Sequence, residues 1–262
     1  MQAQFIHLSA YGRSPRRGAK RHETCAGILG EASRMASSSA HIADPRKPRL
    51  LFGCDPISLK PETERLGRAA RDGRGRRLRS DAGLMVAAVI SYPLPRDAFV
   101  DENDWLTYVE WRTAAIDWLT RQFGECLKSI VEHQDEAYRH LHAFVLPEQA
   151  PDGQLDWSIA HPGRHARVSA ARKGGNKTRQ NAAYVAAMKA LADDFHENVS
   201  ARFGHARVTV RRDRRSREHH LEIQSYRQRL DDAIRRIAKL TRERDELLAV
   251  LSERATDLGA RM

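Results

Sequence analysis

The stretch Lys128–Pro147, KSIVEHQDEAYRHLHAFVLP, decides how the rest of this sequence is read. Two short apolar runs, Ser129-Ile130-Val131 and Ala143 to Leu146, flank the polar segment QDEAYR and predict a β-hairpin. Residues two apart in a strand point to one face, so His140 and His142 project side by side. Antiparallel pairing sets His133 opposite them. Three imidazoles meeting from adjacent strands make a half-shell for a divalent metal, with positions left open for substrate. Nitrogen donors of this kind accept manganese and zinc more naturally than magnesium. Glu136, at the hairpin mouth, is placed to take a proton from a nucleophile or to orient a metal ligand. Asp135 points the other way in an extended chain, as a partner to a ligand imidazole or as a loop cap.

The chain has 262 residues, enough for one sizeable domain and an extension. Its formal net charge of +11 and pI near 10.0 make nucleic acid the expected partner. The cationic side chains cluster, and the candidate DNA contacts are Arg74, Arg76, Arg77 and Arg79, then Arg172 and Lys173, then Arg211, Arg212, Arg214 and Arg215. No apolar run reaches the ~18 residues of a membrane span, and the N-terminus lacks the apolar core of a signal peptide. Cys25, Cys54 and Cys126 are scattered and read as reduced thiols, which together with the rest predicts a cytoplasmic protein.

Around the hairpin, Gln4–Leu8 reads as a first strand, and His22–Met35 as a short helix with Ile28 and Leu29 inward. Leu50-Leu51-Phe52 follows, and Glu64–Asp81 is so rich in Arg and Gly that it reads as a flexible loop. The apolar run Gly83–Ser91 predicts a central strand stopped by Pro93 and Pro95. A helix capped by Asn103 or Asp104 then runs to Phe123, with Trp111 at the edge of its apolar face. Leu155–Ile159 reads as an edge strand and Asn181–Phe203 as a strong helix. The order predicts an α+β fold, an antiparallel sheet with helices on one face and the histidines on the other. From His219 to Leu258 apolar residues follow a heptad pattern interrupted by Arg244 and Arg254, which predicts a coiled coil and a homodimer. The expected organisation is a catalytic domain over 1–210, with its flexible insertion near 64–81, a basic linker over 211–218 and the coiled-coil helix over 219–262.

The pattern His133-Gln134-Asp135-Glu136-x-x-x-His140-x-His142 resembles the third motif, H-x-D-E-x-x-P-H-x-H, of the Mob/Pre (MobV-type) plasmid mobilisation relaxases. Arg139 stands where that family commonly has proline. The resemblance implies an HUH-type nickase fold and manganese or magnesium as cofactor. It implies nicking and rejoining of single-stranded DNA at an origin of transfer. The family's first motif, H-N-x-R, has a leading His proposed as the DNA nucleophile, and it has no counterpart here. One register offers His22 in Arg21-His22-Glu23-Thr24. A second keeps Arg34 in Glu31-Ala32-Ser33-Arg34 and puts Glu31 in the nucleophile position, and Tyr11 is a third candidate. Two other functions compete with the relaxase: a DNA-binding accessory protein that has lost catalysis, and a rolling-circle replication initiator.

Overall fold

Strands β1 (Phe5–Tyr11), β2 (Arg49–Gly53), β3 (Met85–Pro95), β4 (Leu127–His133) and β5 (Tyr138–Val145) form one sheet in the order β1-β3-β5-β4-β2. Every neighbouring pair is antiparallel. The computed structural model describes residues 2–208 except 21, 40, 41 and 43, with scattered positions between 225 and 244. The chain divides into two compact units, Met1–Thr209 and Val210–Met262. The elements named here belong to the first. The expected linker and most of the heptad segment, with Arg211, Arg212, Arg214 and Arg215, lie outside the described residues.

The helices are α1 (Cys25–Ala32), α2 (Lys60–Ala69), α3 (Glu102–Phe123), α4 (Pro162–Arg172) and α5 (Lys177–Asn198). A two-stranded ribbon, β6 (Glu148–Gln149) with β7 (Leu155–Asp156), leads into α4, so the expected edge strand is short and stands apart from the main sheet. On one face of the sheet, Val86, Ala88, Ile90, Ile130, Leu141, Ala143 and Val145 pack against α3 and α5. There Trp111, Trp118, Leu119 and Phe195 are almost wholly buried.

Helices also cover part of the other face. Leu29 of α1 and Leu66 of α2 pack on Met85, Ala87, Val131 and Phe144, each buried side chain worth about 1.5–3 kcal/mol. The expectation of helices on one face only is therefore corrected. It missed α2, which occupies the first third of the segment read as a loop. That helix buries little besides Thr63, Leu66 and Gly67, and most of its remaining residues are charged.

Smaller differences have local causes. Asp101 caps α3, its side chain accepting from the Asp104 N–H at 3.0 Å. That start aligns Tyr108, Trp111, Ala115 and Trp118 inward, so Trp111 is a centre of the core, and Trp105 and Leu106 are exposed. β3 passes through Pro93 to Pro95 because its register to β5 is broken between Ser91 and Pro95, where proline's missing donor is tolerated. α5 begins at Lys177, earlier than expected, because the Asn176 side chain accepts from the Arg179 N–H at 3.0 Å.

Candidate metal centre

In the β4–β5 ladder His133 is paired with His140, and Val131 with His142. Paired and alternate residues share a face, so the three imidazoles stand together on the side that α1 partly covers. Their ring centroids are 5.1 Å apart for His133 and His140, 4.5 Å for His133 and His142, and 4.9 Å for His140 and His142. One ring nitrogen from each lies within 4.8 Å of the others. Alternating with the histidines, Leu141 and Ala143 are driven into the opposite core, which fixes the strand's phase.

Backbone carbonyls set the tautomers. His133 Nε2 is 2.9 Å from the Ala32 carbonyl oxygen at the end of α1, and a carbonyl only accepts. The proton therefore sits on Nε2 and leaves a lone pair on Nδ1, which is buried without a hydrogen-bond partner. His140 Nδ1 is likewise 2.9 Å from the Tyr138 carbonyl oxygen, leaving Nε2 to accept. His142 Nδ1 is buried and unpartnered. Burial pushes the His133 pKa down to about 4 and that of His142 well below the ordinary value, with nearby imidazoles and Arg34 adding to both shifts. A buried ring nitrogen without a partner among the described residues on His133 and on His142, with backbone contacts that orient His133 and His140, suits a divalent transition metal.

Arg34 ties α1 to the hairpin mouth. Its Nε and Nη2 donate to the two oxygens of Asp135 at 2.8 and 2.6 Å, and Nη2 also donates to Glu136 Oε1 at 2.7 Å. Both Arg34 and Asp135 side chains are almost fully buried, whereas that of Glu136 is 36% exposed. Arg34 adopts φ +54°, a left-handed conformation that costs a non-glycine residue on the order of 1 kcal/mol. Asp135 also accepts from the Arg46 N–H at 3.0 Å. Burial alone would raise its pKa, but Arg34 and the backbone donor outweigh that and hold it at about 2. Asp135 thus anchors Arg34, instead of serving an imidazole or capping the loop. Glu136 Oε1 faces inward, 3.6 Å from His140 Nε2 and 3.9 Å from His133 Nδ1.

The three candidate nucleophiles are placed differently. Glu31 is in the last turn of α1, beside the Ala32 carbonyl that meets His133 and three residues before Arg34. His22 is exposed and precedes the Thr24 cap, a helix length of about 12 Å from that point. Tyr11, at the end of β1, has its pKa raised chiefly by burial. Of the candidate DNA contacts, Arg76 and Arg79 are exposed but paired with Asp72 and Asp81 at 2.8 and 2.7 Å, which offsets their charge. Arg74, Arg77, Arg172 and Lys173 are exposed. Sequence reasoning missed His7, which the β1–β3–β5 register puts on the same face as His142 through Val89, bonded to Ser9 at 2.8 Å. Its alternation with Ser9 and Tyr11 was the available signal.

A sheet-borne set of three histidines, flanked by an arginine-clamped pair of carboxylates, defines this centre. No family model matches the chain, and no curated protein does. Among solved structures, it is similar to the MobM relaxase domain (MOBV; Mob_Pre) bound to 26-nucleotide pMV158 oriT DNA. Identity is 17% over 82% of this chain and 96% of that one, with a TM-score of 0.45. A manganese-bound structure of the same domain with oriT DNA, at pH 6.8, gives 17% identity over 82% and 94%, with a TM-score of 0.49.

Proposed function

We propose that this chain is a plasmid mobilisation relaxase, a metal-dependent enzyme that nicks and rejoins one DNA strand at an origin of transfer. The observation that carries the reading is the convergence of three imidazoles, two of which, His133 and His142, have a buried ring nitrogen with no hydrogen-bond partner among the described residues. The third-motif spacing from His133 to His142 supports the same reading.

In this mechanism His133, His140 and His142 hold a divalent ion, manganese or magnesium. When bound, the ion supplies Lewis-acid neutralisation of the scissile phosphate. Arg34 holds Glu136 by Oε1 and leaves the carboxylate's exposed side to accept the proton of an attacking His22 or Tyr11, whereas an attacking Glu31 carboxylate has no proton to give and leaves Glu136 to orient a metal ligand. Arg34 and Asp135 act as positioning residues. The end of α1 is the favoured source of the nucleophile, which makes Glu31 the leading candidate over His22 and Tyr11.

Nicking of a supercoiled plasmid carrying the cognate origin, in the presence of Mn²⁺, tests this. The double substitution His140→Ala, His142→Ala is expected to abolish nicking while the far-ultraviolet circular dichroism is kept. Full nicking by that variant rejects the proposal. A second reading, a DNA-binding accessory protein without catalysis, is favoured by one observation: the position beside Arg34 carries Glu31, and His22 stands at the far end of α1. A covalent protein–DNA adduct excludes it. Lability of the adduct to hydroxylamine would mark an acyl phosphate on a carboxylate.

A further inference from the structure

Arg164, in the first turn of α4, has no carboxylate acting on it among the described residues. Its Nη1 is buried and has no hydrogen-bond partner among them. The groups that act on its charge are Arg16 and Arg167, which lower its pKa, and Tyr184, which raises it. The burial and the two arginines depress its pKa to about 10, an uncommon state for a guanidinium.

The place it occupies is built for it. A Cβ on Gly83, just before β3, would run into Arg164 Nη1 and lie 3.1 Å from the Ala10 Cβ. The Trp157 ring centre lies 4.1 Å from the Arg164 Cζ. Arg16 Nη2 donates to the Ala10 carbonyl at 2.8 Å, so Arg16 and Arg164 meet around one residue of β1. Arg167 follows one turn later, its Cζ 4.5 Å from the Tyr184 ring centre and its Nη2 donating to Asn181 Oδ1 at 3.0 Å. Buried His161 caps α4, and burial first, then Arg164, keeps it neutral with a pKa near 4. A stack on Trp157 accounts for one arginine there. It does not account for two further arginines near enough to act on its charge where, among the described residues, no carboxylate does.

We propose that Arg16, Arg164 and Arg167 form a phosphate site that holds one backbone phosphodiester of a nucleic-acid strand. Guanidinium groups match the geometry of phosphate oxygens and are weakly hydrated, so they tolerate partial burial. The formal net charge of +11 favours a polyanion over a lone anion. The site lies at the end of the sheet where Tyr11 pairs with Met85, four residues along β3 from Val89, the partner of His142. Ala10 belongs to the core under α3 and α5, so this place lies on the face of the sheet opposite the imidazoles. The inference rests on nucleic acid being the partner, and not on metal chemistry.

The test is anisotropy of a labelled single-stranded oligonucleotide across a KCl series, with EDTA present. Arg16 and Arg167 are exposed, so Arg16→Gln with Arg167→Gln is expected to fold normally. The slope of log K against log[KCl] should become shallower by about 0.7, the increment for one phosphate on a single strand. Gly83→Ala, which displaces Arg164, should act in the same direction. Arg65→Gln, an exposed residue paired with Glu62, should leave the slope unchanged. An unchanged slope in the Arg16, Arg167 variant overturns the site, as does an equal change in Arg65→Gln. Quenching of tryptophan fluorescence by inorganic phosphate at fixed ionic strength, with no change of slope, would assign the site to a free anion and also overturn the proposal. Because metal is chelated and binding alone is read, the outcome stands whether or not nicking is ever seen.

Discussion

The histidine centre and the arginine site are incomplete in opposite senses. At the first, ring nitrogens of three histidines lie together, and two of the rings have a buried nitrogen with no partner among the described residues. At the second, two further arginines act on the buried Arg164, and among the described residues no carboxylate is seen to act on it. The contrast with Arg34 sharpens the point: it is as buried as any of them, yet its charge is met by two carboxylates. Buried polar groups are ordinarily satisfied within a fold. Where they are not, the missing charge tells what is to be bound, a cation in one place and an anion in the other.

The largest effect should come from the ligand set itself. His142→Ala is expected to weaken Mn²⁺ binding by more than about 100-fold, beyond what loss of a residue merely supporting a ligand costs, measurable by titration calorimetry. Next is the arginine that is already paired. Arg34→Ala leaves Asp135 buried without its counter-ion and should destabilise the fold by about 3–5 kcal/mol in urea denaturation. Arg34→Gly also loses the pair but relieves the left-handed backbone, so it should be less destabilised than Arg34→Ala by about 1 kcal/mol. Equal stability of the two variants would mean that the backbone there is unstrained.

A smaller effect belongs to pH. His161 has a folded pKa near 4, below the roughly 6.5 of an unfolded chain, so the folded state resists taking its proton. Its contribution is fully present above about pH 6.5 and is lost as pH falls toward 4, by up to about 3 kcal/mol. His161→Asn, which keeps a capping side chain, should flatten the loss of stability between pH 7 and 5. An unaltered pH profile would show that the ring is not shielded from solvent. The slightest expected change is the shift of about 0.7 in salt slope when Arg16 and Arg167 are neutralised.

The hairpin was legible because a two-residue period fixes which side chains share a face before any tertiary contact is known. His133, His140 and His142 needed only that rule and antiparallel pairing. α2 was hidden because an arginine-rich helix held by Leu66 has the composition of a loop. The covering of the histidine face by α1 and α2 was lost with it. Arg34 was visible as a motif position, but its grip on Asp135 depends on a backbone turn at φ +54° that no pattern announces. Trp111 was misplaced because the cap at Asp101 sets the phase of α3. Arg164 was not singled out, since its place depends on Gly83, some eighty residues away in sequence.

The central claim, that three imidazoles from two strands grip one divalent ion, is tested most directly by Mn²⁺ binding followed by electron paramagnetic resonance. The wild-type chain should bind one Mn²⁺ with hyperfine coupling to nitrogen, and the His140→Ala, His142→Ala variant should lose that signal while staying folded. A bound ion without nitrogen coupling, or undiminished binding by the variant, would contradict the account.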